Sequence, residues 1–169
     1  DALTIREHTG KPFSQVTHAY LGDGRFNMGR SLLVSSAMLG MDVRIVAPEE
    51  FQPDAEAIAL AQTYAAETGA KVTVTDDVEA GVHGADVIST DIWVSMGEPK
   101  EAWTQRVAAL RDYQVNRRLM DLTGNPEAIF MHCLPAFHDL NTVVGRDVFE
   151  LTGMESLEVT DEVFESEQS

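Results

Sequence analysis

Short β-branched runs alternate with stretches carrying helix start and stop signals. No other feature of the 169-residue chain constrains its fold as much. Runs at residues 16–21, 43–47, 71–75, 86–90 and 128–132 read as strands. Between them lie helical stretches, which is the signature of an α/β domain built on a parallel sheet. A helix from about residue 29 to Leu39 stops at Gly40, since glycine commonly ends helices. Asp54 is placed to cap a helix reaching Thr68, with Gly69 just past its end. Further helices are expected at 76–82, at 101–110, from a cap at Asn116 to near Gly124, and around 147–151. A short strand at 157–159 and a helix start at Thr160 complete the expectation. The reading is a Rossmann-like, doubly wound α/β domain with about five parallel strands and helices on both faces, without repeats, low-complexity tracts or long linkers.

Three unusual clusters each follow an expected strand. GDGRFNMG at 22–29 follows the first, DIWVSMGEP at 91–99 the fourth and HCLPAFHD at 132–139 the fifth. Open parallel sheets bind ligands in the crevice outside the carboxyl ends of their strands, where the strand order reverses. If the order is 3-2-1-4-5, that crevice opens between the first and fourth strands. Asn27 and Asp91 then face each other across it, with Cys133 one strand further along.

Each cluster also has a plainer reading. The glycine-rich turn resembles a dinucleotide fingerprint, but its third glycine falls one residue late, at Gly29. The acidic residue some twenty positions on, Asp42, precedes the second strand instead of ending it, and no Lys-Ser or Lys-Thr of a P-loop is present. A strand-to-helix turn is the better reading, although a turn alone does not require Arg25 and Asn27. Asp91 can cap the segment after it, and Trp93 suits packing. Ser95-Met96-Gly97 offers consecutive backbone N–H groups suited to a small carboxylate. Residues 95–100 offer little to bury and are expected to be mobile without ligand. Cys133 fits either a buried apolar thiol or a Cys-His nucleophile pair, and no spaced pair of Cys or His ligands favours a metal.

Charge narrows the partners. The formal net charge of -16 repels a phosphate backbone and an anionic membrane surface, so neither nucleic acid nor membrane is expected. A phosphate-bearing metabolite would need a local cationic cluster or another domain. The chain has one cysteine, no apolar run of the ~20 residues that span a bilayer, and an N-terminal DALTIREHTGKPF unlike a secretory signal. A cytoplasmic location is the expectation.

Together the clusters resemble the second domain of the ornithine carbamoyltransferase family, and the likeness runs nearly end to end. GDGRFNMG is similar to that family's Gly-Asp-x-Arg-x-Asn-Met, DIWVSMGE to its Asp-x-Trp-x-Ser-Met-Gly loop, and HCLPAFHD to its His-Cys-Leu-Pro motif. RDYQVN at 111–116 and EVTDEVFES at 158–166 match as well. Aspartate carbamoyltransferases, the nearest relatives in fold and chemistry, lack the cysteine motif.

The resemblance implies that Asn27, Asp91, Ser95 and Met96 bind L-ornithine, with Asp91 on an amine and Ser95 and Met96 on the α-carboxylate and α-amine. It implies that Cys133 and Leu134 sit beside carbamoyl phosphate and the attacking δ-amine, with Asp91 and Cys133 the catalytic pair. No redox cofactor or metal is required, and the parent assembles as a trimer or a multiple of trimers. Phe26 stands where many members have asparagine, and an aromatic there points to the catabolic branch. The family's Ser-x-Arg-Thr-Arg and His-Pro-x-Gln motifs do not occur. Residues 1–169 are therefore expected to be the ornithine-binding domain, without the carbamoyl-phosphate domain and the final C-terminal segment, and inactive alone. Two rivals remain at this stage. One is a carbamoyltransferase for another amine such as putrescine, which the Ser-Met-Gly loop argues against because a diamine has no α-carboxylate. The other is a stand-alone amino-acid-binding or regulatory module.

Overall fold

A computed structural model of the chain describes residues 1–94 and 99–169. Its strands are β1 (Thr17–Leu21), β2 (Asp42–Val46), β3 (Lys71–Thr75), β4 (Val87–Thr90) and β5 (Ile129–His132). They form one parallel sheet in the order β3-β2-β1-β4-β5, so the winding reverses between β1 and β4 as the topology rule requires. Leu21 pairs with Val46 on one side and Thr90 on the other, and Thr90 pairs with His132. The strands therefore end level, and the segments after them emerge along one edge. The Thr90 hydroxyl donates to the Leu21 carbonyl at 2.8 Å, fastening β1 to β4 where the crevice opens.

Alternation along β1 explains the layering. Tyr20 points into one core, with Val43 and Ile45 of β2. That core is closed by α2 (Asn27–Met38), α3 (Ala55–Thr68), α5 (Lys100–Leu110) and α7 (Val143–Thr152). Ala19 and Leu21 point the other way, against α4 (Val78–Val82), α6 (Arg117–Leu122) and α8 (Asp161–Phe164). A strand covered on both faces must be apolar throughout, which is why the central runs lack a polar side. Polar exceptions include Ser89 and Thr90 of β4 and His18, 1% exposed in the middle of β1. Its Nδ1 lies 3.1 Å from Ser36 Oγ of α2, and its Nε2 lies 2.8 Å from Ser89 Oγ of β4. Burial lowers its pKa to about 4, so the ring is neutral at physiological pH. Among the described residues no helix is long and apolar enough to cross a membrane.

Most expected boundaries hold within a residue or two, and the differences have local causes. α2 begins at Asn27 instead of 29, so Asn27 sits in the first helical turn. Gly29 serves packing there: a Cβ on it would lie 2.6 Å from Gly24 Cα, because the start of α2 rests on the turn's backbone. α7 begins four residues early because the Thr142 hydroxyl caps it, accepting from Gly145 N at 2.9 Å. Residues 157–159 form no strand. Val159 makes a single parallel bridge with Val115. An amphipathic first helix, α1 (Ala2–Thr9), was assigned no element in the sequence reading; it buries only Ile5, against Val16, Met41 and Val87 at the opposite edge of the sheet.

Candidate functional site

The edge where the strands end brings Asp91 and Cys133 into contact. β4 delivers Asp91 and β5 delivers Cys133, each one residue beyond its strand. The thiol donates to Asp91 Oδ1 at 3.0 Å, and Ile92 N donates to the same oxygen at 2.8 Å. Asp91 Oδ2 accepts no hydrogen bond from any described residue. Burial is the main cause that pushes the Cys133 thiol up to about 12, aided by the hydrogen bond to Asp91 and that carboxylate's charge. At neutral pH Cys133 is therefore a thiol that donates, and not a thiolate nucleophile.

The Cys-His nucleophile pair is excluded on geometry as well. The His132 ring turns away from the sulfur: its Nδ1 meets the Cys133 carbonyl oxygen and its Nε2 lies 3.2 Å from Glu158 Oε1. Both partners are oxygens, so neither ring nitrogen is left for the thiol. The His132 and Glu158 side chains are 2% and 0% exposed. Glu158 also accepts from Phe137 N at 2.6 Å, which fixes the 132–137 segment over the end of β5. Within this anchored stretch Leu134 stands out, 74% exposed.

On the other side of the crevice lies the turn after β1. Gly22 has φ +120, a conformation that side chains rarely adopt. A Cβ on Gly24 would meet Ile45 Cγ2 and Pro53 Cδ at 2.9 Å, so the turn is pressed onto β2 and the loop after it. Arg25 satisfies buried Asp23 with a two-pronged contact, Nε to Oδ1 at 2.9 Å and Nη2 to Oδ2 at 2.7 Å. Asn27 is exposed, and its Oδ1 accepts from Met28 N at 3.0 Å. Met28, Leu32, Thr90, His132 and Cys133 line one shallow recess, so the start of α2 and the segment after β5 share a wall over the end of β4. Trp93 is fully buried, as packing requires, though its Nε1 has no partner among the described residues. Ser95 and Met96, and with them residues 95–98 of the stretch expected to be mobile, lie outside the described residues.

These positions coincide with a known domain. The profile of "Aspartate/ornithine carbamoyltransferase, Asp/Orn binding domain" matches residues 14–169. The chain belongs to the aspartate/ornithine carbamoyltransferase family. Among curated relatives, the ornithine carbamoyltransferase of Neisseria mucosa is 54% identical over 169 residues, covering 100% of this chain and 64% of that protein. That of Neisseria meningitidis is also 54% identical, with the same coverage. The chain thus spans 64% of the length of these relatives. The solved ornithine carbamoyltransferase from Pyrococcus furiosus superposes with TM-score 0.80 at 37% identity, covering 100% of this chain and 47% of that one. The one from Gloeobacter violaceus gives 0.77 at 34%, covering 99% and 48%.

Sequence reading of this carbamoyltransferase-family domain missed two residues at the edge. Glu158 fell in a matched segment and in the short strand expected at 157–159 but was given no role; it is fully buried between Leu157 and Val159. Arg106, in the middle of α5, donates from Nη1 to the Trp93 carbonyl at 3.0 Å, and nothing in the local sequence signals that contact. One compact group of potential metal ligands occurs among the described residues: His138, Asp161 and Glu165, with ligand atoms within 4.8 Å of one another. His138 Nδ1 already lies 2.7 Å from Asp161 Oδ1, and its ring stacks on Phe164 at 3.9 Å.

Proposed function

We propose that this chain is the ornithine-binding half of an ornithine carbamoyltransferase, which converts carbamoyl phosphate and L-ornithine to L-citrulline and phosphate. The observation that carries the reading is the Asp91–Cys133 contact at the crevice edge, made by the two motifs that distinguish the family. Coverage of 64% of the curated relatives supports a second portion outside these residues.

The geometry suggests how the parts act. Asp91 keeps Oδ2 for an amine of ornithine while Cys133 and Ile92 N hold Oδ1, so the carboxylate is oriented before substrate arrives. Asn27, Ser95 and Met96 serve the amino-acid end, and Leu134 lies with Cys133 beside carbamoyl phosphate. The δ-ammonium must lose a proton before its lone pair attacks the carbamoyl carbon. The new C–N bond then forms as the C–O bond to phosphate breaks, and phosphate departs with that electron pair. Alignment of the two substrates and stabilisation of the developing oxyanion supply most of the rate.

Carbamoyl phosphate carries its charge mainly on phosphate, which arginines usually hold. The three clusters contain one arginine, Arg25, and it is paired with Asp23. On a chain with net charge -16 such a site cannot concentrate a multiply charged anion. The test is citrulline formation by the 169-residue chain, by its full-length parent, and by the chain mixed with the separately produced remainder. Turnover is expected from the parent, with partial recovery in the mixture and none from the chain alone. Turnover by the chain alone overturns the division of labour, and a parent that forms no citrulline overturns the reaction.

A further inference from the structure

Phe26 occupies a place where the family resemblance leads one to expect asparagine, and its surroundings give it a role. The Arg25 guanidinium lies 5.4 Å from the Phe26 ring centre and 4.4 Å from that of Phe51, in the loop after β2. The Arg106 guanidinium lies 5.5 Å from the same Phe26 ring. All three distances fall within the range where a cation is attracted to the face of an aromatic ring. Arg106 in turn donates to the Trp93 carbonyl, two residues beyond Asp91. A continuous series of contacts, Phe51–Arg25–Phe26–Arg106–Trp93, therefore crosses the crevice mouth. It joins the segments after β2, β1 and β4 to α5.

We propose that Phe26 is a positioning residue for the amino-acid site, clamping α5 and the Asp91–Val94 segment to the turn that carries Asn27. Asparagine could not do this, since it has no ring face to receive a guanidinium. Phe26 is half exposed and packs little apolar surface, so its value lies in the two arginines it joins and not in core packing. The clamp acts at both flanks of residues 95–99: Trp93 precedes them, and α5, which carries Arg106, follows them. Loosening it should spread the positions of the groups that bind the amino acid without touching the reacting atoms. That is a loss of binding shared by ground and transition states, which appears in KM.

The kinetic arm rests on the ornithine reading; a second arm does not. In the full-length parent, with ornithine varied at saturating carbamoyl phosphate, Phe26→Leu should raise KM for ornithine about tenfold and change kcat less than about twofold. Phe26→Tyr, which keeps the ring face, should behave like the natural protein. Arg106→Met should match Phe26→Leu, and the double variant should add less than about twofold, as expected for groups acting through one contact. Hydrogen exchange of the α5 amides should accelerate severalfold in Phe26→Leu and not in Phe26→Tyr. The proposal is overturned if Phe26→Leu leaves α5 exchange unchanged, if Phe26→Tyr is impaired as much as Phe26→Leu, or if kcat falls with KM unchanged. A parent without citrulline formation defeats the ornithine reading, and α5 exchange then decides the clamp alone.

Discussion

On the β3–β2–β1 side of the sheet, α3 is capped and stopped close by in sequence, although Arg44 of β2 reaches the Gly81 and His83 carbonyls 37 and 39 residues away. β2 and β3 pair residue for residue from Asp42↔Lys71 to Val46↔Thr75. Asp54 caps α3 by accepting from Ala57 N three positions on, and Gly69 ends that helix with φ +79. On the β4–β5 side the strands have four residues each, and the segment beyond them is held by side chains far along the chain. Cys133 reaches Asp91, 42 residues away, while Glu158 holds His132 and Phe137, 26 and 21 residues away. The first wing is built from propensity and capping. The second depends on buried polar contacts that only the finished fold can supply, and it carries the proposed site residues Asp91 and Cys133.

Breaking the second wing should therefore cost most. Glu158→Ala strips a fully buried carboxylate from His132 and from the Phe137 N–H, and it should lower unfolding stability by about 4 kcal/mol in urea titrations. A loss near 1 kcal/mol would erase the contrast between the wings. His18, at the seam, comes next. The unfolded chain protonates it near pH 6.5 but the fold resists down to about 4, so the fold binds fewer protons in that window. Its contribution is complete above pH 6.5 and is lost as pH falls towards 4, amounting to about 3 kcal/mol. His18→Gln should flatten that part of the pH–stability profile relative to the natural chain; equal slopes would contradict the assignment. The smallest effect belongs to the first wing, where Asp54→Ala removes a cap and an exposed ion pair with Arg30 and should cost about 1 kcal/mol in the same urea titration.

The same contrast explains what the sequence disclosed. β3, and α3 with its Asp54 cap and Gly69 stop, were legible to the residue because period, cap and terminator agree locally. The edge shared by Asp91 and Cys133 was legible through topology, since the order 3-2-1-4-5 sets β4 beside β5 and parallel strands end on one edge. The thiol's direction of shift was not, because it depends on burial and on a carboxylate 42 residues away. Glu158 and Arg106 were illegible for the same reason: each works through a partner that no periodicity connects to it. At 157–159 the expected strand is reduced to a single bridge from Val159 to Val115, beside the Glu158 contact to His132.

The central claim is that Asp91, aimed by Cys133, receives an amine of ornithine. Calorimetric titration of the 169-residue chain with L-ornithine, natural and Asp91→Asn side by side, tests it most directly. The natural chain should bind at about millimolar concentration, since the proposed function assigns part of the pocket wall to the rest of the parent. Asp91→Asn should weaken binding at least about tenfold, because a charge-assisted contact to the amine becomes a neutral one. Equal affinities in the two proteins would contradict the account.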